Sequence, residues 1–186
     1  MALQIARRQF TVNDYHRMRE TGILTEDDRV ELIDGEVRLM SPVGPFHAAI
    51  VKRLNALLST KTGEQAIISI QDPIQLDDHT EPEPDIAILR FDDTWYAQRH
   101  PTPADIFFVI EVADTSLEYD RDEKLPRYAA SGIQEAWLID IEAETVAQYT
   151  QPAHNIYTLK QTFKRGELIR SATFPAITLP VDHIFG

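Results

Sequence analysis

Three side chains, taken in chain order, could carry hydrolytic chemistry: Asp85 in "EPEPDIAIL", Glu111 in "IFFVIEVA", and Lys124 in the segment that follows. Asp85 stands where a proline-rich stretch gives way to an apolar run, and alone it also reads as a turn or cap residue. Glu111 interrupts the most apolar run of the chain. A carboxylate there costs several kcal/mol to bury unless it is paired, protonated or bound to a metal; by itself it could be half of an ion pair or a strand-end residue. If the strands that begin at Asp85 and end near Glu111 are neighbours, both carboxylates meet on one side of the sheet, close enough to share a divalent ion. Magnesium takes hard oxygen ligands, keeps several waters and commonly binds through one or two carboxylates plus substrate phosphate. An ammonium at Lys124, on the first turn or two of the next predicted helix, then folds back over the strand end and meets negative charge developing at a phosphodiester. Without that context Lys124 is an ordinary exposed helix lysine.

Composition sets the bounds. The chain has 186 residues, is 43% hydrophobic, and holds no apolar stretch near the ~20 residues that spanning a bilayer requires, so one soluble globular domain over 1–186 is expected. With no cysteine in the sequence, disulfides, thiolate nucleophiles and cysteine-ligated metals are excluded, and any metal sits on oxygen or imidazole. The start, "MALQIARRQF", carries two arginines but no apolar segment of signal-peptide length, so the expected location is the cytoplasm. A net charge of −12 argues against a broad basic face for nucleic acid and leaves room for acids gathered around a cation, or for a solvated acidic surface.

The elements that must position these residues are legible in outline. Thr11 caps a first helix through about Glu20, with Asp14 three residues on in a capping-box arrangement. "RVELIDGEVRLM" reads as a hairpin about Asp34-Gly35, a dipeptide that tolerates the positive φ angles of a tight turn. "PFHAAIVKRLNALLSTKTG" places Ala49, Val51, Leu54, Leu57 and Leu58 near helical spacing and ends at Gly63. Extended segments follow in "AIISIQDPIQL" and "DIAIL", then a central strand in "DIFFVIEVA", apolar on successive residues. A helix from about Asp122 to Ser131 must take Pro126 in its first turn or kink. "EAWLIDI" is another buried strand, and "TVAQYT", "IYTLKQTF" and "LIRSATF" alternate as an antiparallel meander before a last helical turn in "PVDHIFG". The fold class is α/β (α+β) on a mixed sheet. No G-x-G-x-x-G or P-loop occurs among the seven glycines.

The run "IEVADTSLEYDRDEKLPRYAASGIQEAWLID", with "ELIDGE" at 31–36, His47 and "PEPDIAI" at 82–88, closely resembles the Uma-type family of bacterial endonucleases, in the PD-(D/E)XK restriction-endonuclease-like superfamily. The resemblance spans most of the chain. It implies a restriction-endonuclease-like mixed sheet flanked by helices and an Mg2+- or Mn2+-dependent endonuclease acting on DNA. It also implies site residues: Asp85 as the motif aspartate, Glu111 as the motif glutamate, the Val112 carbonyl as a further ligand, and Glu31 as the acid of the N-terminal part, completing a second ion site or tuning the first. The family's usual lysine position, two after the glutamate, holds Ala113; the lysine function would fall to Lys124 on the following helix. His47 is carried with the set, beside its plainer reading as a cap or surface residue. Tyr128, Trp137 and Asp140 read as packing and strand-end residues, and Asp120 and Asp122 as caps of the Lys124 helix.

Two further readings stay open. The fold could persist as a catalytically silent binding or interaction module with the acids in a structural network, which the net charge motivates. Glycoside hydrolysis by Asp85 and Glu111 fits two carboxylates but leaves Lys124 unused. A nuclease that faces two strands often pairs, so a homodimer is a further expectation.

Overall fold

The computed structural model describes residues 8–186; most of the N-terminal segment on which the cytoplasmic expectation rests lies outside them. Helix α1 (Val12–Glu20) begins at Thr11, whose side chain accepts from the Asp14 backbone while Asp14 reaches back, the expected capping box. Strands β1 (Val30–Ile33) and β2 (Glu36–Leu39) form the expected hairpin. Asp34 and Gly35 sit at φ 50° and 74°. A Cβ on Gly35 would lie 2.6 Å from Gln9 Cβ, so both the turn and the close approach require glycine. Helix α2 (Pro45–Thr62) opens with proline and stops at Gly63, φ 53°. Its core face is Ile50, Val51, Leu54 and Leu58; Ala49 is exposed, a shift of one position from the sequence pattern.

Six strands make the main sheet in the order β3 (Ala66–Ile70), β4 (Ile86–Arg90), β5 (Ile106–Ala113), β6 (Glu135–Asp140), β7 (Thr145–Ala153) and β8 (Ile156–Lys164). All neighbours run antiparallel except β5 and β6. A parallel pair needs a crossover, and here it is helical: α3 (Leu117–Tyr119), a π-helical turn (Asp120–Lys124) and α4 (Leu125–Ala130). The helical stretch therefore starts five residues before the expected Asp122. The wide turn closes with the Leu125 N–H on the Asp120 carbonyl, one residue before Pro126, which then occupies the first turn of α4.

Two further segments depart from expectation. Only Ala66–Ile70 of "AIISIQDPIQL" is strand, because Gln71 takes φ 54° and Pro73 follows. "LIRSATF" leaves the meander: a turn at Gly166, φ 84°, carries the chain off the sheet, and β9 (Leu168–Arg170) pairs with β10 (Thr178–Pro180) as a separate ribbon. The expected last turn is α5 (Val181–Phe185).

Alternation along the strands sorts the core into two layers. Ile86, Ile88, Phe108, Ile110, Val112, Trp137 and Ile139 pack with α2 and α5. Ala87, Leu89, Val109, Ala113, Ala136 and Leu138 pack with Leu125, Tyr128 and Ile133. Glu111, between Val109 and Ala113, faces this second layer. Among the described residues no helix is long and apolar enough to cross a membrane.

Candidate active site

The β4–β5 register sets Ile86 opposite Ile110, so one step further along Asp85 comes opposite Glu111. The Asp85 N–H faces Glu111 Oε2 at 3.4 Å. Asp85 is held from three sides: Val112 N–H donates to Oδ2 at 2.9 Å, and the Gln71 amide (3.1 Å) and His47 Nε2 (3.0 Å) meet Oδ1. A carboxylate offers about four lone-pair sites, so one remains for a further ligand. His47 arrives from the first turn of α2 and is buried, and among the described residues its Nδ1 is the one buried side-chain polar atom without a partner.

Glu111 is 2% exposed. Tyr128, on α4, donates its hydroxyl to Oε1 at 2.5 Å, and Lys124 Nζ lies 3.0 Å from the same oxygen. Lys124 is delivered by the π-helical turn, which turns both it and Asp120 inward. Its ammonium is 5% exposed, donates to the Glu83 carbonyl at 3.0 Å and sits 3.4 Å from Glu31 Oε2. Glu31 comes from β1 and takes hydrogen bonds from the Tyr119 hydroxyl (2.9 Å) and the Glu83 N–H (3.1 Å). Two docking contacts bring the hairpin to this place. Leu32 and Glu81 exchange backbone hydrogen bonds, and Arg38 and Arg127 clamp Glu123 and Asp34 across the hairpin and the helix.

Electrostatics follow from burial. Desolvation pushes Glu111 up to about 8 despite Lys124, with Asp120 and Asp85 adding to the rise. Burial likewise raises Asp120 to about 6. For Lys124 burial opposes the charge, but Glu111, Glu31, Asp120 and Asp85 outweigh it, and the ammonium is held charged. Burial would raise Asp85, yet the His47 contact and the Val112 N–H hold it below the usual carboxylate range. Reciprocally, Asp85 overcomes burial and raises His47.

These groups line a cleft of about 270 Å³. Residues 12–182, nearly the whole chain, match the family described as "Uma2: Putative restriction endonuclease". The chain belongs to the Uma2 family. Among solved structures it is similar to one described as "a putative nuclease belonging to DUF820" from Anabaena variabilis, with 17% identity, a TM-score of 0.75, and coverage of 95% of this chain and 97% of that one. That likeness shows a shared fold, the restriction-endonuclease-like mixed sheet flanked by helices. No curated protein matches the chain.

In this Uma2 chain, Glu31, His47, Asp85, Glu111 and Lys124, separated by up to 93 positions in sequence (124 − 31), converge on the one cleft. Val112 joins through its backbone: its N–H is on Asp85, and in an extended strand the carbonyl of the same residue faces the same neighbour. Two residues read otherwise from sequence belong here as well. Asp120 is no cap; it is buried in the cleft wall and accepts from Ser116 Oγ at 2.6 Å. Tyr128 does pack in the core, but its hydroxyl is the neutral donor to Glu111. Asp122 is exposed and pairs with Arg121. Tyr119 and Glu83 were not singled out, and only the odd acid between two prolines in "EPEPD" hinted at the latter.

The donor set fits a hard divalent cation. Asp85 and Glu111 each keep lone-pair capacity, the Val112 carbonyl side faces them, and Glu31, Glu83, Asp85, Glu111, Asp114 and Asp120 outnumber Lys124 and Arg29 around the cleft. Such a surplus of negative charge repels phosphate unless a cation is added.

Proposed function

We propose that this chain is an endonuclease, one domain over residues 1–186, that hydrolyses phosphodiester bonds in DNA with Mg2+ or Mn2+ held by Asp85, Glu111 and the Val112 carbonyl. Membership in the Uma2 family supports a nuclease. The observation that carries the chemistry is the buried Lys124 ammonium 3.0 Å from Glu111, with Asp85 beside it in the same cleft. When bound, the ion supplies positive charge against the phosphate and lowers the pKa of water, so a nucleophile exists near neutral pH.

The protein's own groups do the rest. Water oxygen bonds to phosphorus, one P–O ester bond breaks, and the departing oxygen takes a proton. Lys124 holds a fixed positive charge where the phosphoryl oxygens gain negative charge, on a nearly buried side chain, which is where such a charge is worth most. Glu31, through Tyr119 and the Glu83 N–H, positions Lys124. His47 positions Asp85 through its Nε2 contact. Tyr128 fixes the Glu111 rotamer.

Incubation with supercoiled plasmid, single-stranded DNA and RNA, each with Mg2+ or Mn2+, tests this. Cleavage of DNA that falls at least ~100-fold in Asp85→Ala is the expected result. No cleavage by the wild type, or equal cleavage by Asp85→Ala, overturns it. Ion-dependent stabilisation without cleavage would leave the fold as a binding module.

A further inference from the structure

Outside the cleft, three side chains from three separate segments meet: His16 on α1, Glu81 in the segment bridged to β1, and His100 in the loop before β5. One ligand atom of each lies within 4.8 Å of the other two, and among the described residues no other set of three histidines or acids does this. His16 Nε2 faces both oxygens of Glu81, at 2.8 and 3.0 Å, and the two imidazoles stand with ring centroids 5.5 Å apart. The Glu81 carboxylate is 1% exposed, and among the described residues His16 is its one hydrogen-bond partner. Neither ring nitrogen of His100 makes a hydrogen bond among the described residues.

We infer that His16, Glu81 and His100 form a zinc site, distinct from the Asp85–Glu111 cleft. Imidazole is a borderline donor and carboxylate a hard one, and two imidazoles with one carboxylate are a set that suits Zn2+ and matches poorly with Mg2+, which asks for oxygen and retained waters. Ligands about 2.0–2.1 Å from a tetrahedral ion lie roughly 3.3 Å from one another. The His16–Glu81 separation needs to open by only a few tenths of an ångström, and His100 needs to close in. The fourth position faces solvent through half-exposed His16. The ion would tie α1 and the His100 loop to the segment that, two residues after Glu81, offers its Glu83 carbonyl to Lys124. A plain His16–Glu81 ion pair explains that contact but leaves an unpartnered imidazole at His100 beside it.

The test uses the full chain, stripped by chelator, melted with Zn2+ or Mg2+. Zinc at a hundred times its Kd is expected to raise Tm by about 5–10 °C. The rise should persist in Asp85→Asn/Glu111→Gln, which disables the cleft, and vanish in His100→Gln, which leaves the His16–Glu81 contact in place. Zinc counted after dialysis gives an answer independent of stability: one ion per chain in the Asp85→Asn/Glu111→Gln background, none when His100→Gln is added. A wild type indifferent to zinc, a response lost with the cleft variant, or equal zinc content with and without His100 overturns the inference.

Discussion

Two glutamates sit buried on adjacent strands of one sheet, and their surroundings differ in kind. Glu135, at the start of β6, is fully buried and accepts five hydrogen bonds from neutral donors: Trp137 Nε1 (2.7 Å) and Gln148 Nε2 (2.6 Å) on Oε1, and Ser171 Oγ (2.8 Å), Thr173 N (2.9 Å) and Thr173 Oγ1 (2.8 Å) on Oε2. Glu111, on β5, has one hydroxyl, one ammonium, a long contact to the Asp85 N–H, and three more acids around the same ammonium. Glu135 is closed on every side and draws the chain after β9 against the sheet. Glu111 opens into a cleft whose charges do not balance. A buried carboxylate saturated by fixed dipoles is architecture; one left short of partners is set up to take a cation.

Stability should separate the two most sharply. Glu135→Ala strands five donors in the interior and should cost about 3–5 kcal/mol, lowering Tm by roughly 6–20 °C. Glu111→Gln replaces a carboxyl that burial already keeps largely protonated near neutral pH and should melt within ~1 kcal/mol of wild type, or above it. Thermal melts of both, without added metal, decide. If Glu111→Gln were the more damaging, Glu111 would be structural and the contrast would fail.

Activity should sort them the other way round. Glu111→Gln is expected to lose about 10²–10³-fold in ion-dependent DNA cleavage. Glu135→Gln, scaled to the folded fraction, should cut as the wild type does. A gel assay of initial rates checks both.

The dependence on pH sharpens the contrast further. Glu111 is raised from 4.5 to about 8 and Asp120 from 3.8 to about 6, both chiefly by burial, and burial raises Glu83 as well. Between those values the folded chain holds protons that the unfolded chain has released, so stability falls as pH rises through this window. His47, raised by Asp85 against burial, adds stability below about 6.5 that is lost above its folded value, the same direction. Asp85, held low, contributes stability that is fully present above about 3.8 and lost only as pH falls below it, outside this window. Melts across about pH 5 to 8 should therefore decline in the wild type and flatten in Glu111→Gln. Saturating Mg2+ or Mn2+ should flatten the wild type as well, because an ion replaces the proton on Glu111. An unchanged slope in Glu111→Gln would mean the proton sits elsewhere.

Much of this site was legible in the chain because its residues break local patterns. A glutamate inside "FFVIEVA" and an aspartate after two prolines contradict the burial that surrounds them, and the contradiction is visible without coordinates. The hairpin, the caps of α1 and α2, and the central strand were legible for the same reason: glycine, proline and alternation act over a few residues. The place of Asp120 in the cleft wall, and the contact that Tyr128, a packing residue as expected, makes with Glu111, depend on a π-helical turn, which shifts a helix face by one position and has no short-range sequence signal. Glu135 was hidden too. Its partners come from four places along the chain, and two of them, Ser171 and Thr173, are reached only because the Gly166 turn sends β9 away from the expected meander. The His16–Glu81–His100 cluster spans 84 positions (100 − 16) and carries no motif at all.

The smallest expected effect is the finest test of the contrast, because it removes the same chemical group from each glutamate. Ser171→Ala takes one hydroxyl from Glu135 and leaves four donors, so it should cost about 1 kcal/mol and leave the pH at which Mn2+ binds unchanged. Tyr128→Phe takes the one hydroxyl from Glu111, at a similar cost of about 1 kcal/mol. Its signature should lie elsewhere. The Tyr128 hydroxyl stabilises the ionised form of Glu111, so without it burial is less opposed and the carboxyl holds its proton to higher pH. Mn2+ must displace that proton, and the midpoint of Mn2+ binding against pH, read by titration calorimetry or thermal shift, should move upward in Tyr128→Phe alone. A midpoint that moves equally in both variants, or in neither, would mean that Glu111 is not the group whose proton the ion displaces.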